Sequence, residues 1–228
     1  MRVEVDADTE TPVSAFLKLS RGEKHAFLLE SVEGGERSAR FSFLGAGPRS
    51  VLRWKLGQPG DPFGVVRAAL ASHRAVRVPG TPRFSGGLVG HVSYDAVKEF
   101  EPRVPIAKAD ESGFDDVLLM DFDEVVAFDA LRHSIHVICE VRVGADDDPR
   151  RLYRAALGRL RRRLAVLARP LRDRRPVPKH HAELRPRVPR EVFEASGARA
   201  REYVTAGDCQ QIVLSQRFDA ESTLDPFS

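Results

Sequence analysis

The hydrophobic pattern of residues 27–45 predicts a β-hairpin. Residues 27–29 form a short apolar run that can be buried on both faces. Residues 40–44 alternate polar with apolar side chains, as a half-buried strand does. Two glycines at 34–35 stand between these runs and can adopt the positive φ angles of a tight turn.

Polar side chains are expected where the two predicted strands meet. Glu30 and Ser31 follow the first strand, and the turn brings Arg37 and Arg40 back beside them. A carboxylate, a hydroxyl and a guanidinium suit a zwitterion such as a free amino acid, since the carboxylate binds ammonium and the guanidinium binds carboxylate. The pattern alone favours a plainer interpretation, in which Glu30 and Arg40 form a surface cross-strand pair and Ser31 starts the turn.

Caps and apolar stripes predict three helices in the first 170 residues. A Thr-Pro pair at 11–12 and an Asp-Pro pair at 61–62 each place an N-cap residue before a proline. Val65 and Leu70 are among the residues of the second helix expected to face inward. A third helix begins at Pro149 behind three aspartates and runs to about residue 168, with its leucines on one face. Its solvent side is expected to carry Arg159, Arg161, Arg162 and Arg163.

Further strands are predicted between these helices. Residues 50–56 form one strand, and residues 84–95 form another that is dense in glycine, so close packing against a neighbour is expected. Asp95 is predicted to cap a short helix over 96–100. The clearest hairpin joins strands over 117–128 and 134–143. Three acids of its first strand could suggest a metal site, but their alternation with apolar residues favours a solvated face. These acids are Asp121, Asp123 and Glu124.

The C-terminal part predicts a change of domain. Residues 170–189 combine prolines with dense charge and are predicted to be a linker. A helix over 190–206 and a strand over 209–218 follow. The predicted organisation is an N-terminal domain over 1–169, the linker, and the first helix and strand of an incomplete domain over 190–228. Hairpins outnumber alternating strand and helix units, so the expected fold class is α+β with largely antiparallel sheets.

Composition limits the function. The 228 residues carry 36 Lys and Arg against 33 Asp and Glu, a net charge of +3, which argues against nucleic acid. Cys139 and Cys209 lie far apart in apolar runs and are expected to be buried free thiols, which fits a reducing compartment. No apolar run approaches the ~20 residues that span a bilayer. A cytoplasmic protein with no membrane association is therefore expected.

Five ordered segments resemble the anthranilate synthase component I family of chorismate-utilising enzymes. The chain looks like the family's N-terminal domain followed by the first helix and strand of its chorismate-binding domain. The segments are residues 11–19 (TPVSAFLKL), 27–45 (FLLESVEGGERSARFSFLG), 86–101 (GGLVGHVSYDAVKEFE), 114–128 and 202–218 (EYVTAGDCQQIVLSQRF).

The resemblance implies an activity for the complete enzyme. That enzyme converts chorismate and ammonia to anthranilate and pyruvate in tryptophan biosynthesis, with Mg²⁺ holding the substrate. A glutamine amidotransferase subunit, component II, supplies the ammonia. The family's metal ligands and catalytic histidine correspond to positions beyond Ser228, so no metal ligand is assigned in this fragment. The 228-residue chain alone is expected to lack synthase activity.

The resemblance also implies a feedback site for L-tryptophan. Leu29, Glu30 and Ser31 match the family's LLES motif, and residues 38–41 match a second wall of the pocket. With the resemblance, ligand binding becomes the favoured interpretation of the hairpin end. The second wall consists of Ser38, Ala39, Arg40 and Phe41.

Gln211 bears on the reaction type. Relatives that add water to chorismate carry Lys at the corresponding position, where it can act as a base, whereas a neutral amide cannot deprotonate water. Gln211 therefore favours amination and is at most a residue that positions substrate or ammonia. Two alternatives stay open: aminodeoxychorismate synthase component I of folate synthesis, and a non-catalytic tryptophan-sensing fragment. The LLES motif followed by EGGER favours anthranilate synthase.

Overall fold

A computed structural model describes residues 1–30, 40–72, 74–76, 78–105, 112–171 and 183–222. The chain divides into two compact units, Met1–Leu171 and Arg172–Ser228. Helices combine with antiparallel sheets, which confirms the predicted α+β class. In the described part of the chain, no helix has the length and apolar character needed to cross a membrane.

A five-stranded antiparallel sheet forms the centre of the first unit. Its strands are β1 (Arg2–Asp6), β2 (Ala26–Leu29), β3 (Phe41–Ala46), β7 (Glu124–Asp129) and β8 (Ser134–Cys139), and they lie in the order β1-β8-β7-β3-β2. The predicted opening hairpin is present as the β2–β3 pair, with Leu29 opposite Phe43. The first strand, β1, was not predicted, although Val3 and Val5 alternate with charged residues in it.

A second antiparallel sheet consists of β4 (Ser50–Trp54), β5 (Gly87–Val92) and β6 (Val117–Phe122). Its strands lie in the order β4-β6-β5, so β6 is central. The predicted single strand over 117–128 is wrong, because the chain leaves one sheet after Phe122 and enters the other at Glu124. The glycine-rich β5 does pack closely: a Cβ atom on Gly90 would lie 1.9 Å from the carbonyl oxygen of Leu118.

Two helices cover one face of the five-stranded sheet. They are α1 (Pro12–Leu19), capped by Thr11, and α3 (Pro149–Leu167), capped by Asp148. The cap Thr11 and the start of α3 at Pro149 were both predicted. Helix α3 buries Leu160 against residues of β3, β7 and β8, so the predicted leucine face is confirmed. Lys18 of α1 also donates to the carbonyl oxygen of Leu167 at 2.9 Å, which ties the two helices together.

The other face of the five-stranded sheet packs against the smaller sheet. Phe27 of β2 and Val125 of β7 contact Met120 and Phe122 of β6 in a second apolar core. The rings of Phe27 and Phe122 meet edge to face with centroids 4.8 Å apart. The first unit therefore has three layers: helices, the five-stranded sheet and the three-stranded sheet.

Two short helical segments differ from their predictions. Helix α2 (Pro62–Ala71) begins at the predicted cap, Asp61. Val65 and Leu70 were expected to face inward, but both are more than half exposed, and Pro62 is the only buried residue of this helix. The segment predicted as a helix over 96–100 is a 3₁₀ helix over Tyr94–Glu99. Ser93 is its N-cap residue, so Asp95 lies in the first turn and does not cap it.

Within residues 183–222, the described part of the second unit, there are one helix and a small strand pair. Helix α4 (Arg190–Ala206) ends at Gly207, whose φ of 85° is in the left-handed region that glycine adopts without strain. The predicted strand over 209–218 is wrong, since only β10 (Phe218–Asp219) pairs with another strand, β9 (Arg185–Pro186). A strand needs a hydrogen-bonded neighbour, and residues 210–217 have no such ladder.

Candidate functional site

The described residues of the predicted site lie at the ends of β2 and β3. β2 ends at Leu29, which is 52% exposed, and Glu30 follows it as an exposed residue. Arg40 precedes β3, and Phe41 is the first residue of that strand. The antiparallel register places these two strand ends at the same edge of the sheet. Three other predicted residues, Ser31, Ser38 and Ala39, lie outside the described residues.

Arg40 is held by the carboxylate of Asp129, a partner that the local sequence of Arg40 does not predict. Its Nε donates to Oδ1 of Asp129 at 2.9 Å, and its Nη2 donates to Oδ2 at 2.6 Å. This two-point pairing fixes the plane of the guanidinium group. The predicted surface pair between Glu30 and Arg40 is therefore wrong, because Arg40 turns toward β7 instead.

The guanidinium also lies over the ring of Phe41, with its carbon 4.8 Å from the ring centroid. The side chain of Arg40 is 32% exposed, whereas that of Asp129 is 1% exposed. The ion pair therefore joins a buried carboxylate to a guanidinium group that is partly accessible to solvent. Its third nitrogen, Nη1, has no partner among the described residues.

Both carboxylate oxygens of Asp129 accept hydrogen bonds. Besides Arg40, its Oδ1 accepts from the backbone N–H groups of Leu131 at 3.1 Å and Arg132 at 3.3 Å. These bonds shape the β7–β8 turn, in which His133 adopts a φ of 51°. The hydrogen bonds from Arg40 hold the pKa of the Asp129 carboxyl below its usual value, against the opposing effect of burial. The carboxylate therefore stays ionised at neutral pH.

A row of side chains crosses the sheet at this end. Phe41 pairs with Asp129, and Asp129 pairs with Ser134 of β8, so all three point to the same face. Ser134 is 5% exposed, and its hydroxyl has no hydrogen-bond partner among the described residues. A buried hydroxyl usually has one, so this face has unused hydrogen-bonding capacity.

His136 follows Ser134 on the same face and is 2% exposed. Its Nδ1 lies 3.7 Å from Oε2 of Glu4 on β1 and has no hydrogen-bond partner in the described part of the chain. Burial lowers the pKa of His136, while the charge of Glu4 raises it to a lesser extent. The imidazole is therefore neutral in the folded protein at pH 7.

The three acids predicted to form a solvated strand face are ion-paired instead. Asp121 accepts from Arg49 and, at 3.1 Å, from Arg142. The remaining pairs join the sheet to α3, so Arg159 and Arg163 face the protein and not the solvent. Asp123 accepts from Arg159 at 2.7 Å, and Glu124 accepts from Arg163 at 2.5 Å. No group of three potential metal ligands occurs among the described residues.

Gln211 and the cysteines complete the predicted positions. Gln211 is exposed in the second unit and belongs to no helix or strand. Cys139 is buried in β8, where its sulfur accepts from Nη2 of Arg159 at 2.7 Å. Cys209 is half-buried and, contrary to the prediction, lies outside any strand. Both cysteines are free thiols, as predicted.

The family model for chorismate binding enzymes matches residues 24–228. The match covers most of the chain, and the chain therefore belongs to the chorismate-binding enzyme family. The resemblance found in the five sequence segments is confirmed by this result.

Particular relatives are similar over nearly the whole chain. Anthranilate synthase component 1 of Pseudomonas aeruginosa is 37% identical over 243 aligned residues, which cover 98% of this chain and 48% of the relative. The same-named protein of Acetivibrio thermocellus is 30% identical and is 49% covered. The crystal structure of anthranilate synthase component I from Streptococcus pneumoniae TIGR4 superposes with a TM-score of 0.65 at 26% identity, covering 98% of this chain and 50% of that one. The chain spans about half the length of the curated relatives it matches.

Proposed function

We propose that this chain is the regulatory N-terminal part of an anthranilate synthase component I. The complete cytoplasmic enzyme would convert chorismate and ammonia to anthranilate and pyruvate in tryptophan biosynthesis. The observation that carries this proposal is the similarity across 98% of the chain to relatives of that name. Since the chain spans 48% of that relative's length, the proposed activity is that of the whole enzyme.

The proposed enzyme requires Mg²⁺ and a glutamine amidotransferase subunit that releases ammonia. The acids of this chain that are best spaced for a metal, Asp121, Asp123 and Glu124, are each neutralised by arginine. These three acids therefore do not fit a Mg²⁺ site, and we propose that the metal binds in the part of the complete enzyme that this chain does not span. Gln211 is proposed to position chorismate or ammonia in the complete domain.

The proposed inhibitor site for L-tryptophan lies at the end of the β2–β3 hairpin. Arg40 offers a guanidinium edge for the carboxylate of the amino acid, and exposed Glu30 offers a carboxylate for its ammonium group. The ring of Phe41 adds an aromatic surface. Ser31 is proposed to supply a hydroxyl, as the matching LLES motif suggests.

Inhibition through this site requires coupling to chorismate binding. If L-tryptophan favours one arrangement of the enzyme, chorismate must favour another by the same coupling free energy, about 1 to 3 kcal/mol. Each ligand would then weaken the other by roughly 5- to 150-fold. The proposal thus gives this chain a regulatory role while catalysis depends on the complete domain.

Calorimetry tests the ligand site directly. The 228-residue chain should bind L-tryptophan and not D-tryptophan, and Ser31→Phe should abolish binding by filling the site. In the complete enzyme, Ser31→Phe should leave anthranilate formation intact and relieve its inhibition by L-tryptophan. Unchanged sensitivity to L-tryptophan would contradict the proposed site. The 228-residue chain alone, with Mg²⁺ and ammonium, should form no anthranilate from chorismate.

A further inference from the structure

A carboxylate 89 residues away in the sequence controls the orientation of Arg40. Asp129 binds Nε and Nη2, which lie along one edge of the guanidinium group. A planar guanidinium that is bound along one edge presents its remaining N–H groups on the opposite side. Nη1 of Arg40 lies on that side and has no partner among the described residues.

Asp129 is itself rigidly placed. Its side chain is 1% exposed, and two backbone N–H groups of the following turn bind the same oxygen that accepts from Nε of Arg40. The charge of the pair is zero, so a zwitterionic ligand could bind beside it without leaving an unpaired buried charge. Ser134, the register partner of Asp129, adds a buried hydroxyl with no described partner.

We propose that Asp129 is a positioning residue of the amino-acid site, which holds one edge of Arg40 so that Nη1 faces the ligand carboxylate. This inference rests on the proposed tryptophan site and deepens it. Asp129 does not touch the ligand. Asp129 holds the side chain of Arg40 in place before the ligand binds. This reduces the conformational entropy that Arg40, a long and partly exposed side chain, would otherwise lose on binding.

The Asp129→Asn substitution tests this role with little change of shape. The asparagine oxygen can still accept from the N–H groups of Leu131 and Arg132, so the turn keeps its hydrogen bonds. The amide nitrogen replaces Oδ2 and confronts Nη2 of Arg40 with a second donor. The matched control is Asp115→Asn, which removes the carboxylate of another Arg–Asp pair, in which Nε of Arg53 donates at 2.7 Å.

Calorimetry should compare L-tryptophan with tryptamine, which lacks the carboxylate. Asp129→Asn is expected to weaken L-tryptophan binding at least about tenfold, the loss typical of a hydrogen bond between charged groups. The affinity of the Asp129→Asn variant for tryptamine should equal that of the wild type. The control variant, Asp115→Asn, should bind both ligands as the wild type does. Restoration of most of the affinity by Asp129→Glu would support the same conclusion, because that variant keeps the carboxylate.

The outcomes separate the two proposals. Equal weakening of both ligands would mean that Asp129 is only structural, and would overturn the inference. Tighter binding of L-tryptophan by Asp129→Asn would also overturn it, because the ligand would then use the guanidinium edge that Asp129 occupies. If the wild-type chain binds no L-tryptophan, the proposed site fails and the inference fails with it. Unchanged L-tryptophan binding in the variant would overturn the inference alone.

Discussion

Gly90 provides the sharpest test of the packing described above. It lies in β5 opposite Leu119 of β6, and an added Cβ atom would meet the carbonyl oxygen of Leu118 at 1.9 Å and its carbonyl carbon at 2.8 Å. Both atoms belong to the backbone of the central strand, so no side-chain rotation can relieve the clash. The substitution Gly90→Ala therefore forces the two strands apart.

The size of the effect follows from these distances. An ordinary contact begins near 3.4 Å, so the strand must shift by about 1.5 Å. Overpacking of this kind costs about 1 to 3 kcal/mol, and each ladder hydrogen bond that is lost adds about 1 kcal/mol. We expect the free energy of unfolding to fall by about 3 kcal/mol. With a urea m-value of about 2 kcal/mol/M, the unfolding midpoint should fall by about 1.5 M.

Trp54 makes the measurement simple. It is the single tryptophan of the chain, is 6% exposed, and lies in β4 of the same sheet, so its fluorescence reports on the affected layer. The matched control is Gly158→Ala in α3, where a Cβ atom would make only an ordinary contact at 3.6 Å. Since alanine favours helix by up to about 1 kcal/mol over glycine, this variant should be more stable than the wild type. A midpoint for Gly90→Ala at or above that of the wild type would refute the packing argument.

Three further predictions concern the core and its titrating groups. Leu160→Ala should lower the free energy of unfolding by about 2 to 5 kcal/mol, whereas Leu131→Ala, at a 60% exposed position, should change it little in the same urea titration. Because burial lowers the pKa of His136, the unfolded chain binds that proton first, and stability should fall as the pH drops below about 6.5. Replacement by Gln should reduce this slope between pH 7 and 5, and an unchanged slope would contradict the assignment. Burial raises the pKa of the Cys139 thiol, so a thiol reagent should modify half-buried Cys209 first and Cys139 only after unfolding; equal rates would exclude this arrangement.

Features set by neighbouring residues could be predicted from the sequence. Thr11, Asp61 and Asp148 each cap a helix through a hydrogen bond to a backbone N–H two or three residues away. Such bonds depend on a short stretch of sequence and hardly on the rest of the fold. The β2–β3 strand pair was predictable for the same reason, since the two strands lie within 21 residues of sequence, from Ala26 to Ala46.

Features set by distant contacts could not be predicted in this way. The pairing of Arg40 with Asp129 spans 89 residues, and nothing in the local pattern of either residue specifies the other. The break between β6 and β7 was missed because apolar residues continue across Asp123 without a turn signal. Arg159 and Arg163 of α3 were assigned to solvent because periodicity identifies the apolar face of a helix but not the acids of a sheet beside it. Arg161 and Arg162 are exposed, as predicted.

Strand β7 contributes side chains to both apolar cores of the first unit. Val126 packs beneath the helices, whereas Val125 packs against the smaller sheet. Adjacent positions on one strand can therefore monitor separate layers of the first unit. NMR signals from fluorinated valine or from the methyl groups of these two residues would report on the two cores separately. They would show whether denaturant unfolds the core beneath the helices and the core between the two sheets together or one after the other.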